Sequence, residues 1–213
     1  MRFELIVFDW DGTLMDSEAR IVDCIQSAFT DLGLVPPSAG AARDIIGLGL
    51  EEAMTRLLPA ADAATRMDLV VRYRQHFLVT NETHSVLFPG AREVLDWLLG
   101  RGHRLAVATG KSRRGLDQSL AETGLRGAFH ATRCADETFS KPHPQMLFEL
   151  MGELGVAAGE TLMIGDTEYD MQMARNAGVA ALAVGYGVHS VDRLLAHGPL
   201  ACLDALGALP AWL

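Results

Sequence analysis

Cysteine is nearly absent from this chain: Cys24, Cys134 and Cys202 are the only three in 213 residues. They are odd in number and widely spaced, which excludes a disulfide framework and a zinc site and leaves three reduced thiols. Basic charge is also scarce. Eighteen Lys and Arg stand against 27 Asp and Glu, and the net charge of -9 excludes a nucleic-acid backbone as partner. No apolar run approaches the length of a membrane span, so a membrane partner is not expected. The chain begins directly in strand-like sequence, without the basic start, apolar run and small-residue cleavage site of a secretory signal, and the expectation is a cytoplasmic protein. Internal repeats and low-complexity segments are missing as well. An acidic protein of this kind can still bind a small anion, provided a fixed lysine or a divalent cation supplies positive charge locally.

What is present reads as alternating strands and helices. Apolar residues make up 49% of the chain, enough for one large domain, or for a core domain carrying a smaller insertion. Five β-rich runs stand out: "ELIVF" from Glu4, "RLAVAT" from Arg104, "AFHATRC" from Ala128, "TLMIG" from Thr161 and "AALAVG" from Ala180. Helical patterns over 91–99, 112–123, 143–154 and 169–176 separate or follow the later runs. This alternation predicts a Rossmann-like parallel sheet covered on both faces, a three-layer α/β/α core. The interval 15–85 breaks the pattern, with helical stretches over 18–32 and 62–79, a Pro36-Pro37 break, and "AARDIIGLGLEEAMTRLL" between them. It predicts a small all-helical domain over 15–85, inserted after the first strand into a core formed by 1–14 and 86–213.

In an open parallel sheet, ligands bind beyond the carboxyl ends of the strands. The residues just after each strand therefore carry the chemistry. Asp9 and Asp11 follow the first run, Thr109-Gly110-Lys111 ends the second, and Asp166 follows the fourth with Asp170 four residues on. Lys141 stands in "SKPHP" ahead of a helix. Two carboxylates as close as Asp9 and Asp11 repel unless a cation lies between or beside them. Four carboxylates, a hydroxyl and an ammonium at one sheet edge suit a divalent cation and a phosphoryl group, and hard Mg²⁺ favours such oxygen donors. Asp9 and Asp166 would offer carboxylate oxygens and Asp11 its backbone carbonyl, at a sharp exit that Gly12 permits. Asp170, one helical turn beyond Asp166, would complete the metal site or hold Lys141.

The motifs "DWDGT", a Thr after the second strand, "KPHP" and "GDTEYD", in this order, resemble the four motifs of the haloacid dehalogenase superfamily. The resemblance is to its branch of small-molecule phosphatases with a helical cap, most of all the phosphoglycolate phosphatase-like members, and it covers nearly the whole chain. It implies that Asp9 is the nucleophile and forms an aspartyl-phosphate, while Asp11 protonates the leaving oxygen and then activates water. Thr109 and Lys141 would bind the phosphoryl oxygens, with Gly12 and Gly110 lining the same position, and Mg²⁺ would screen the approach of carboxylate to phosphate. Trp10 departs from the aliphatic residue expected between the two aspartates, a difference that bears on packing.

Each feature alone has a plainer reading: Asp-Gly is a common turn, an Asp can cap a helix, and a Lys is often a solvated charge. Their order beside four strand ends is what argues for a site. His143, Arg113 and Arg114, and the Gly185-Tyr186-Gly187 turn with His189, read better as structural than as functional residues. The expected reaction is hydrolysis of a small phosphorylated metabolite, phosphoglycolate being one candidate. A phosphohexomutase of the β-phosphoglucomutase kind would retain the same core residues. A dehalogenase is disfavoured by Asp11. A receiver-like signalling module or a non-catalytic phosphate-binding protein fits less well, since none of the acids is missing and the helical insertion is large. Specificity is expected in the inserted segment, with Arg43 as the cation for a substrate carboxylate and Gly47 and Gly49 letting backbone approach the ligand.

Overall fold

Leu5, Ile6, Val7 and Phe8 are all fully buried, as a strand covered on both faces requires. In a computed structural model, which describes residues 3–213, they form β1 (Leu5–Phe8) at the centre of the sheet. The chain then makes β2 (Met15–Asp16) and a run of helices: α1 (Glu18–Asp31), α2 (Ala39–Asp44), α3 (Leu50–Leu57) and α4 (Ala63–Gln75). A π-helical turn, His76–Thr80, extends α4 before β3 (Val86–Leu87). The alternating part follows as α5 (Ala91–Gly100), β4 (Arg104–Thr109), α6 (Arg113–Thr123), β5 (Ala131–Cys134) and α7 (Gln145–Leu154). It continues through β6 (Thr161–Gly165), α8 (Glu168–Ala177), β7 (Ala180–Val184), α9 (Val191–Leu195), β8 (Cys202–Leu203) and α10 (Leu209–Trp212).

Six strands form one parallel sheet in the order β5-β4-β1-β6-β7-β8. The connections run outward from β1 in both directions, so the switch point lies beside β1, where a crevice opens at the strand ends. Alternation along β1 feeds two cores. Ile6 and Phe8 pack with Leu95 and Leu98 of α5 and Leu116 and Leu120 of α6, while Leu5 and Val7 pack with Leu147 and Leu150 of α7 and Met173 of α8. Each such side chain, once buried, contributes about 1.5 to 3 kcal/mol before entropy is counted. Trp10 belongs to the first core, its ring edge against Phe129 at 6.1 Å between centroids and its Nε1 donating to Ser119 Oγ at 3.2 Å.

The helical segment has a core of its own, built from Ile25, Phe29, Ile46, Met54, Leu69 and Phe77, to which α8 lends Tyr169. Tyr169 ties the two parts together: its hydroxyl donates to the Asp44 carbonyl at 2.8 Å and accepts from Arg56 at 3.2 Å.

Two details differ from the sequence expectation, and a third, the helix break at Gly47, agrees with it. The stretch 15–85 does not begin or end as helix, because Met15–Asp16 pairs with Val86–Leu87 in a two-residue antiparallel ribbon at its base. "AARDIIGLGLEEAMTRLL" is two helices, α2 and α3, separated where Gly47 takes a left-handed φ of 101°. A sixth sheet strand, β8, joins β7 through only two residues.

Candidate active site

The site lies at the ends of β1, β4 and β6. Asp9 is held there by its backbone, whose N–H donates to the Ile164 carbonyl of β6 at 2.9 Å. The chain then turns sharply at Gly12 (φ 83°), where a Cβ would lie 2.1 Å from Asp166 Oδ2. Only glycine fits that approach. "GDTEYD" opens α8 with Thr167, not Asp166, as N-cap: Thr167 Oγ1 accepts from the Asp170 N–H, and Asp170 Oδ2 accepts from the Thr167 N–H. Capping by Thr167 leaves the Asp166 carboxylate to face the site, where its oxygens accept from Thr13 Oγ1 (2.7 Å) and the Val188 N–H (2.8 Å).

Lys141 is fully buried between two acids, with Nζ 2.8 Å from Asp9 Oδ1 and 2.6 Å from Asp170 Oδ1. Burial works against its charge, but Asp170 and Asp9 outweigh it and hold the ammonium above its ordinary pKa. Asp170 has both oxygens engaged, one by Lys141 and the other by Thr167. Asp9 Oδ1 accepts from Lys141 and from the Trp10 N–H, whereas its Oδ2 is buried with no partner among the described residues. Asp9, Asp166 and Asp170 bring carboxylate oxygens within 4.8 Å of one another.

Asp11 stands apart from that trio. Its carboxylate accepts from Ser17 Oγ at 2.6 Å and from Lys111 Nζ at 2.8 and 2.9 Å. Lys111 Nζ also lies 4.3 Å from the centre of the Phe77 ring, so one ammonium touches both the sheet edge and the helical segment. Thr109, buried at the end of β4, accepts the Lys111 N–H through Oγ1 at 3.2 Å and keeps its hydroxyl proton to donate.

Two ammonium groups balance two of the four carboxylates and leave two negative charges, with an orphaned oxygen on Asp9. The strain is visible in the proton affinities. Burial, opposed by Lys141 and reinforced by Asp170 and Asp166, pushes Asp9 well above the usual carboxylate range. Burial and the neighbouring Asp170 push Asp166 up to about 7. A divalent cation would supply the missing charge, and the donor set of buried carboxylate oxygens fits Mg²⁺.

The metal-free protein should therefore lose stability as pH rises. An acid whose folded pKa lies above its unfolded value, here about 7 against about 4, costs nothing below pH 4 and progressively more up to pH 7. Adding Mg²⁺ should raise the melting temperature more at pH 8 than at pH 5, by differential scanning fluorimetry.

The inserted segment closes over this edge. Built onto Gly110, a Cβ would lie 2.4 Å from the Leu48 carbonyl oxygen and 2.6 Å from that of Gly47, and the Gly49 N–H donates to Ser140 Oγ at 2.7 Å. Gly47 and Gly49 thus serve a close approach to the core loops at Gly110, Thr167 and Ser140, and Gly47 also lines a cavity with Asp9 and Asp11. Gly110→Ala should push the 47–49 loop outward and lower kcat/KM by on the order of 10²-fold, the usual cost of a displacement of about 1 Å at a reacting centre. Unchanged steady-state kinetics would show that this contact is dispensable.

Arg43 is not brought to the site. It is exposed and paired to Glu18 at the start of α1 (2.5 Å), because α2 turns it away from the cavity onto the neighbouring helix. Arg113 is likewise engaged, with Glu137 and Asp117. His143 stacks on Phe139. The Gly185-Tyr186-Gly187 turn does border the site, contrary to its structural reading: a Cβ on Gly187 would fall 2.3 Å from Asp166 Cβ, and Tyr186 donates to the Thr13 carbonyl at 2.7 Å. Sequence placed Lys111 at the second strand end without giving it a role, and did not single out Ser17 or Thr13. Only Lys111 carried a signal, its position two residues after Thr109.

A cavity of about 70 Å³ runs from Asp9, Asp11 and Thr109 up into the helical segment. A carboxylate with an unengaged oxygen, a second carboxyl group and two ammonium groups beneath the helical segment make a candidate site for a phosphoryl group at a Rossmann-like sheet edge. The family model for haloacid dehalogenase-like hydrolases matches residues 6–184, and the chain belongs to that family. It is 37% identical over 94% of its length to the "probable phosphatase IndB" of Dickeya dadantii, covering 89% of that protein. It is 33% identical to a phosphoglycolate phosphatase of Cupriavidus necator, over 98% of this chain and 92% of the relative. Among solved structures, a haloacid dehalogenase-like family hydrolase from Streptococcus pneumoniae superposes with a TM-score of 0.86 at 24% identity, over 99% of this chain and 98% of the other, a match in fold. The chain is a phosphoglycolate phosphatase-like member of the family, a phosphoric monoester hydrolase.

Proposed function

We propose that this protein is a Mg²⁺-dependent phosphatase of small phosphorylated metabolites that works through an aspartyl-phosphate on Asp9. The observation that carries this reading is the unpartnered, buried Oδ2 of Asp9 at the floor of the cavity. In this scheme Oδ2 attacks phosphorus while Oδ1 stays fixed by Lys141 and the Trp10 N–H. Asp11, oriented by Ser17 and Lys111, gives its proton to the departing alcohol oxygen. It then takes a proton from the water that attacks the aspartyl-phosphate, regenerating Asp9 and releasing phosphate. Thr109 donates to a phosphoryl oxygen, and Lys141 neutralises charge on that group through the transfer. Asp9, Asp166 and the Asp11 carbonyl would hold Mg²⁺, with Asp170 steadying Lys141 beside them; the bound cation screens the repulsion between carboxylate and phosphate.

On this reading 15–85 is a cap domain on a core of 1–14 and 86–213, and its closure keeps bulk water from the acyl phosphate. A phosphohexomutase is the weaker alternative, because a hexose bisphosphate would set its hydroxyls against side chains that are mostly apolar. Phosphoglycolate, named in several relatives, would need a cation for its carboxylate. With Arg43 engaged by Glu18, that cation would be Arg74, which lines the cavity and has no partner among the described residues.

The test is phosphate release from a panel of phosphoglycolate, hexose phosphates and nucleoside monophosphates, assayed with Mg²⁺ and with chelator. Turnover that vanishes with chelator is expected. Release independent of metal would overturn the mechanism, and isomerisation of a hexose 1-phosphate without release would favour the mutase.

A further inference from the structure

The wall of the cavity remote from the carboxylates is made by Ile21, Ile25, Ile46, Leu48, Phe77 and Leu78, among other apolar side chains. Five of these six are buried outright. The helical segment contributes only two side chains with polar atoms to this wall, Tyr73 and Arg74. Tyr73 presents its ring, stacked on Phe77 at 5.7 Å between centroids and 22° between planes. Arg74 stands at the mouth, since it also lines the outer cleft with Glu51, Glu52 and Asp136. Lys111 is spent on both oxygens of Asp11.

A leaving group seated above the phosphoryl position therefore meets hydrocarbon on nearly every side. Hydroxyls placed there lose water without gaining partners, and a carboxylate has only Arg74 at the mouth to meet, whereas each methylene buried there gains roughly fourfold in binding. Resting on the phosphatase reading, we infer that the natural substrate is a phosphate ester of a compact, mainly apolar alcohol, not of a sugar, a polyol or glycolate.

The experiment compares primary alkyl esters of similar intrinsic reactivity with Mg²⁺ present: benzyl and n-butyl phosphate against glycerol 3-phosphate, glucose 6-phosphate and phosphoglycolate. The first two should show kcat/KM at least tenfold higher. Ile25→Asn, which sets an amide in the wall, should shrink that ratio by about the same factor. Equal rates, or a preference for the polar esters, would overturn the inference whether or not the variant folds. Titration calorimetry separates this outcome from failure of the phosphatase reading. Benzylphosphonate should bind at least tenfold more tightly than 3-phosphonopropionate, with a negative heat-capacity change. That binding preference without phosphate release from any ester would leave the inference standing and refute the hydrolytic reading. Release from every ester without preference, and equal phosphonate affinities, would do the reverse.

Discussion

Asp9→Asn should abolish phosphate release and leave no covalent phosphoryl-enzyme, because a neutral amide is a poor nucleophile at the position where Oδ2 is otherwise unpartnered. The substitution is nearly isosteric, so the surrounding bonds from Lys141 and the Trp10 N–H have an oxygen to meet as before. Asp11→Asn differs in kind. It retains the backbone carbonyl but removes the carboxyl that Ser17 and Lys111 orient, and should cost roughly 10² to 10⁴ in kcat while the phosphoryl-enzyme still forms slowly. Rapid quench with radiolabelled ester separates the two. Beryllium trifluoride should attach at Asp9, and attachment at another carboxylate, or substantial turnover in Asp9→Asn, would refute the assignment.

Lys141→Met should be the most destabilising single change at the site. Lys141, Asp9 and Asp170 have no solvent exposure at their side chains, so removing the cation strands two acids in an interior that cannot hydrate them. Breaking a buried pair in this way costs about 3 to 5 kcal/mol. The sign with pH follows from the acids left behind. Asp9, which burial already holds well above the usual carboxylate range, rises further without the cation, so the penalty is absent below about pH 4 and grows as pH rises toward that folded value. Urea unfolding should show a small deficit near pH 4 and a larger one at pH 8. A loss equal at both values would mean that Lys141 acts by volume alone. Phosphate release should also collapse, since the same ammonium fixes the nucleophile.

Much of this architecture was legible because its signals are local. A fully apolar run followed by Asp9, Asp11 and Gly12 announces a buried strand with acids at its exit. The spacing of Asp166 and Asp170 places both at the start of one helix, where Thr167 completes the cap. The helical insertion was readable from the absence of period-two alternation over some 70 residues. The ribbon that closes it and the last sheet strand were not, because two residues carry no period. Arg43 looked like a substrate cation because sequence shows a charge without its partner, and Glu18, 25 residues earlier, takes it.

By itself, then, the chain order of acids, hydroxyl and lysine determined the chemistry available: oxygen donors and an ammonium at strand ends, suited to a metal and a phosphoryl group. Local signals mark where each acid leaves its strand or joins a cap, while the ladder that holds it, as from the Asp9 N–H to the Ile164 carbonyl, spans the chain. Tertiary structure decided which charges were spent and which were left. Lys111 meets Asp11 across 100 residues, Gly110 lets the 47–49 loop descend onto the core, and side chains from α1, α3, α4 and the π-helical turn converge into one apolar wall. Such contacts depend on how separate elements dock, through side chains whose spacing in sequence bears no relation to their distance in space.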